Sequence, residues 1–243
     1  MGTGAEQTVT APAAEATLPA VAGSRGAGLS RLNLLRELDT AHGELEQALA
    51  ILQACGVADA ARLALGVIDR LLLHAHRTVL GTDLEMVVTC PQCAVLNALP
   101  LGASDVPDYA PRSGWCGPGA GVREPTPADL TGLPDDPDAA GRIVVQRCTA
   151  GPADGPRDVA ALEWAEQSLC GAVAVACIEC GAPIEEFVDV QRLVTSAIAA
   201  AVAEADVEVH LLASRYGWDL ASIEALPDAR RSRLAALAGG GGR

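Results

Sequence analysis

The chain has 243 residues, half of them hydrophobic but only 2% aromatic, and it carries a formal net charge of −14 at pH 7. The length allows one or two domains with a sizeable core, and the acidic balance sets the chain against nucleic acid and anionic lipid. With three Trp, two Tyr and one Phe, the core has to be built from Ala, Leu and Val, which favours close-packed helices.

Residues 1–26 are rich in Ala, Thr, Gly and Pro without a period and are expected to form a flexible tail. From Ser30 a helical period begins, with Leu32, Leu35, Leu38, Leu45, Leu49 and Leu52 at three- and four-residue steps and Gly56 as its stop. A second helix is predicted over 58–80, with Leu63, Val67, Leu71 and Leu72 on its apolar stripe. The short connection makes residues 27–82 an antiparallel helical hairpin. His74 and His76 lie near the end of that helix. Positions two apart face different directions, so they do not share a metal.

Residues 84–89 read as a strand that delivers the chain into Thr89-Cys90-Pro91-Gln92-Cys93, and a second strand-like run follows over 94–99. Residues 101–174, dense in Pro, Gly and Asp at the start, form an inserted sub-domain. Inside it, Thr126 and Pro127 mark the N-cap and first position of a short helix, and further helices are expected over 139–149 and 158–169. Cys116, Cys148 and Cys170 have no partner at ligand spacing and read as small buried side chains. The run Cys177-Ile178-Glu179-Cys180-Gly181 is followed by another strand over 184–188. A long helix, rich in Ala, is predicted over 189–216 and ends at Gly217. Asp219 caps a short helix over 220–226, a last helix covers 227–237, and residues 239–243 form a second flexible end.

The two C-x-x-C hooks carry the strongest chemical signal. Two thiolates at this spacing can bind one metal from a tight turn, and Cys90, Cys93, Cys177 and Cys180 together complete a tetrahedral site, which points to structural zinc. Residues 83–100 and 175–188 are then the two halves of one ribbon. Their separation far exceeds the roughly 15–20 residues usual between such hooks, so the insert splits the ribbon. The predicted fold is mainly α (α+β): a helical hairpin and C-terminal helices (189–238) around a split four-cysteine, zinc-ribbon-like β element. No basic segment followed by an apolar one opens the chain and no run approaches 18 apolar residues, so a cytoplasmic bacterial protein without a membrane span is expected. In that reducing setting the hooks favour metal over disulfides. No P-loop, G-x-G-x-x-G, G-x-S-x-G or H-E-x-x-H motif is present.

The C-terminal block Glu208-Val209-His210-Leu211-Leu212-Ala213-Ser214-Arg215-Tyr216-Gly217-Trp218, with Ile223, Leu226, Pro227, Arg230 and Arg231 after it, resembles the end of the baseplate hub assembly chaperones of T-even phage type. Such proteins occur in contractile phage tails and in phage-tail-like contractile injection systems. The run Arg123-Glu124-Pro125-Thr126, continued by Asp129-Leu130, is similar to an Arg-x-Pro-Thr…Asp-Leu element of that family. The positions of the two cysteine hooks also fit, although the first hook lacks a glycine after Cys93. The resemblance implies a non-enzymatic assembly factor or baseplate-associated component that binds hub or baseplate proteins. His210, Tyr216, Trp218, Arg230 and Arg231 are the candidate partner-binding residues, since Tyr, Trp and Arg are enriched at binding hot spots. Two other readings compete with this one. A zinc-ribbon nucleic-acid-binding regulator is opposed by the net charge. A metal-dependent enzyme is opposed by a four-thiolate site that leaves no open ligand position.

Overall fold

The computed structural model describes residues 43–110, 121–150 and 156–240, together with Leu34, Glu37, Leu38, Thr40, Ala41, Gly114 and Trp115. The tail expected over 1–26 and Cys116 lie outside the described residues. In chain order, helix α1 (Glu44–Ala54) is followed by a 3-10 turn at Ala60–Arg62 and helix α2 (Leu65–Leu80). Strands β1 (Glu85–Thr89) and β2 (Leu96–Pro100) make a first antiparallel hairpin. The insert contributes β3 (Gly114–Trp115), β4 (Gly121–Val122), the single-turn helix α3 (Pro127–Leu130), α4 (Pro137–Cys148), β5 (Thr149–Ala150) and α5 (Pro156–Ala165). Strands β6 (Cys170–Ala176) and β7 (Pro183–Asp189) pair as a second hairpin, and helices α6 (Val190–Tyr216), α7 (Leu220–Glu224) and α8 (Asp228–Gly240) complete the chain. The architecture is mainly helical with three small antiparallel sheets, an α+β arrangement.

Helices α1, α2 and α6 enclose the main core. Ile51 and Leu52 of α1, Ile68, Leu71 and Leu72 of α2, and Val194 and Ile198 of α6 are all buried in it. Each such side chain removed from water is worth about 1.5–3 kcal/mol. Asp189 caps α6 by accepting from the Arg192 amide, and the helix ends at Gly217 in the left-handed region (φ 65°). Both ends are therefore where the sequence placed them.

Three elements differ from the sequence reading. The first helical stretch is interrupted at Gly43 (φ 107°), so the continuous helix is Glu44–Ala54 rather than one element from Ser30. Helix α2 starts at Leu65 instead of about Ala58, because its first two amide groups take acceptors from the insert. The Leu65 N–H donates to the Pro125 carbonyl (2.9 Å) and the Gly66 N–H to Glu124 Oε1 (2.7 Å). Strand β6 begins at Cys170, inside the stretch assigned to the insert, and places Cys170 at the surface rather than buried.

The insert is clasped to α2 by buried polar groups. Glu124 also accepts from the Tyr109 hydroxyl (2.8 Å) and the Gln167 amide (3.1 Å). Arg70 Nη1 donates to the carbonyls of Gly66 (2.7 Å) and Gln167 (2.8 Å), its Nε donates to Pro107, and the guanidinium lies over the Tyr109 ring. Gly66 is fixed by this close approach: a Cβ there would sit 2.5 Å from the Gln167 carbonyl oxygen and 2.7 Å from Glu124 Oε1. Arg123 grips Asp129 with both terminal nitrogens (2.6 and 2.7 Å), and Asp129 accepts from the amide and hydroxyl of Thr126. This bidentate pairing holds the Asp129 carboxyl well below the usual carboxylate range.

Asp69 ties α2 to the far end of the insert and to α6, accepting from the Leu169 amide (2.6 Å) and from Gln191 Nε2 (2.8 Å). Burial dominates its titration and pushes its pKa up to about 6. A carboxyl raised on folding stabilises the native state below the ordinary value and loses that contribution as pH rises through about 6. The stability advantage of the wild type over Asp69→Asn is therefore expected to shrink between pH 4 and 7.5, by up to about 3 kcal/mol. Denaturant titrations of the two proteins at both pH values measure this. Both carry the same cysteines, so thiol titration cancels, and a difference independent of pH refutes the assignment.

Candidate metal centre

The two hairpins meet at their hook ends. Inward residues Met86, Val88 and Leu99 of the first pack with Val175 and Ile184 of the second around Cys90 and Cys177. The hooks are local copies of each other. The Cys90 amide donates to the Val95 carbonyl and the Ala94 amide back to Cys90. In the second, the Cys177 amide donates to Ala182 and the Gly181 amide to Cys177. Both turns require positive φ at the residue after the second cysteine, Gly181 at 71° and Ala94 at 59°. Glycine adopts this freely, whereas alanine there costs about 1 kcal/mol.

This symmetry brings the four sulfur atoms to one point. Cys90 Sγ lies 3.7 Å from Cys180 Sγ, Cys93 Sγ lies 3.6 Å from Cys177 Sγ, and all four lie within 4.8 Å of one another. A disulfide would need about 2.0 Å. A tetrahedron of thiolates about 2.3 Å from a central ion has edges of roughly 3.8 Å. The sulfur spacing thus fits one ion held by four thiolates, and the residues can hold a metal. Cys90 and Cys177 are buried, Cys93 is half-buried and Cys180 is exposed.

The surroundings favour ionisation unequally. The backbone amides of Cys180 and Glu179 draw the Cys177 thiol down to about 6. At Cys93 the Val95 amide also lowers the pKa, but burial and the three neighbouring thiols outweigh it and push it up to about 12. Four clustered thiols cannot all lose their protons without a cation between them, so metal affinity and thiol ionisation are linked.

A supporting residue that the motif search did not single out is Asn97. It points inward from β2, nearly buried, accepts the Ile178 amide on its Oδ1 (2.8 Å) and donates to the Val95 carbonyl (3.0 Å). One side chain thus braces both hooks. The equivalent of Ile178 in the first hook is Pro91, which has no amide to satisfy. The trace in sequence was a polar residue at an inward position of a strand.

Comparison with models of known families, with curated proteins and with solved structures finds no match. The chain's chemistry is therefore read from its own geometry.

The candidate partner-binding residues divide. Tyr216 and Trp218 are exposed on either side of Gly217, with ring centroids 5.4 Å apart and planes tilted by 33°. His210 and Arg230 are also exposed. Arg231 is not available: it is fully buried, its Nε donating to Glu208 (3.0 Å) and its Nη2 to Asp228 (2.5 Å). It locks α8 against α6, and its Nη1 is a buried donor without a hydrogen-bond partner among the described residues. His74 and His76 share no site; His76 is buried, with Nδ1 2.9 Å from the Thr82 carbonyl. Cys55 and Cys148 are buried away from the cluster.

Two results are expected from the hooks. Protein with Cys177→Ser and Cys180→Ser loses the bound metal and roughly 5 kcal/mol or more of stability. Elemental analysis and denaturant unfolding check this, and an unchanged metal content would remove the site. Ala94→Gly raises stability by about 0.5–1 kcal/mol by relieving the left-handed alanine. Thermal unfolding at matched metal content reads this out, with no gain as the contrary result.

Proposed function

We propose that this chain is a non-enzymatic assembly factor or baseplate-associated component of a contractile tail or contractile injection system, and that it binds hub or baseplate proteins. The ion held by the four cysteines is zinc in a structural role. Four thiolates fill a tetrahedral shell and leave no position for a water or substrate, which suits scaffolding rather than catalysis. Borderline-soft zinc matches an all-thiolate donor set. Among the described residues no helix is long and apolar enough to cross a membrane, and the reading needs none.

The observation that carries the proposal is the exposed Tyr216–Trp218 pair at the end of α6. Residues that resemble the chaperone family converge there on a small helical module, packed through Leu212, Ile223 and Ala235 and locked by Arg231. Two aromatic rings outside that module's core present apolar area and polar edges to a partner, the usual chemistry of a binding hot spot. Arg230 and Arg215 are exposed in the same module and suit an acidic partner surface.

The test is complementation of a deletion strain with the Tyr216→Ala, Trp218→Ala double variant. The variant is expected to keep its metal and fold but to lower the yield of sheathed particles at least tenfold, counted by electron microscopy. Particle yield equal to wild type, or particle formation in the deletion strain itself, overturns the reading.

A further inference from the structure

The insert carries a second surface that the reading above does not use. Helices α4 and α5 lie side by side and enclose an open groove of about 1220 Å³. Its lining includes Ile143, Val145, Val159 and Leu162. None of these belongs to any of the three buried clusters of the described residues. Val159 is 44% exposed. Two short helices thus line the groove with branched apolar side chains that belong to none of these cores. An apolar groove of this size exceeds the roughly 300–1,000 Å³ of small-molecule pockets. Helix α4, with 12 residues, makes it about 18 Å long, the length of a three-turn helix.

Charge selects the occupant. Among the described residues, the lining carries Asp138, Glu163 and Glu166 against one cation, Arg142, on a chain whose net charge is −14. The geometry points to a docking site for an amphipathic helix from a protein partner, apolar on one face and rich in Arg or Lys on its flanks. Its apolar residues at i, i+3, i+4 and i+7 meet the apolar lining, as in other helix-in-groove complexes, and its cations meet the acidic residues. The opposite sign of charge distinguishes this partner from an acidic surface at the Tyr216–Trp218 tip, and the inference does not depend on that tip or on contractile tails.

The test uses the full-length protein and three fluorescent peptides of about 12 residues, the length of the groove. One has Leu at the four spaced positions and Lys on its flanks, one has the same Leu pattern with Glu flanks, and one has Lys flanks with Gln in place of Leu. Only the first is expected to bind, and its affinity falls as salt rises from about 50 to about 300 mM. Val159→Arg, which blocks the apolar lining at a half-exposed position, and the separate Asp138→Lys, Glu163→Lys variant each weaken binding by roughly tenfold or more, about 1.4 kcal/mol. Metal content and circular dichroism of both variants stay as in the wild type. Equal binding of the Lys and Glu peptides, or wild-type affinity in Val159→Arg, refutes the proposal. Binding that appears only after residues 1–33 are removed assigns the groove to the chain's own N-terminus and also overturns it.

Discussion

The structure depends on four cysteine sulfur atoms meeting at one point from two distant stretches of chain. Like charges at 3.6–3.7 Å repel, so this arrangement is stable as thiolates only around a cation. Once it is made, the first hairpin and the second hairpin have fixed relative positions. Helix α2 leads into the first and α6 leaves the second, so an ion held there would set the frame on which the three-helix core is built. The insert leaves the first hairpin after Pro100 and enters the second at Cys170, at the strand ends away from the hooks, and closing so long a loop costs only slightly more entropy than closing a short one. A ribbon can therefore accept an insert of this size without losing its metal site.

A second closure secures the insert itself. The clasp of Glu124, Arg70, Asp69 and Gln167 satisfies the first amides of α2 and the loops on either side of the insert with the same few groups. The run from Arg123 to Leu130 is accounted for by this role. Arg123 and Asp129 shape the turn, Pro125 and Glu124 reach α2, and Thr126 and Pro127 begin α3.

What was legible in the sequence was local. The cysteine hooks, the Asp219 cap, Pro127 at the start of α3 and Gly217 at the end of α6 all act within a few residues of themselves, and the structure places them as expected. Strand β6 was missed because Cys-Gly-Ala-Val-Ala-Val-Ala alternates only small side chains, so its period-two contrast is weak. The start of α2 was misplaced because its amides are satisfied by Glu124 and Pro125, far away in the chain. Arg231 looked like part of a basic surface, and only the fold shows Glu208 closing over it. Asn97 carried no motif and became visible when both hooks were found leaning on it.

Helix α6 belongs to two cores at once. Its first half, through Val202, is part of the main core. Its last turns share a much smaller one with α7 and α8, whose fully enclosed members are Leu212, Ile223 and Ala235. A core smaller than the main one, beside a buried guanidinium with one nitrogen unpaired among the described residues, gives the C-terminal module a lower opening free energy than the main core. It can unfold and refold as a separate cooperative unit while the main core stays intact. A partner that grips the tip then also consolidates it, so part of the binding energy goes into ordering α7 and α8. Complex formation is thereby read out as amide protection spreading beyond the contact itself.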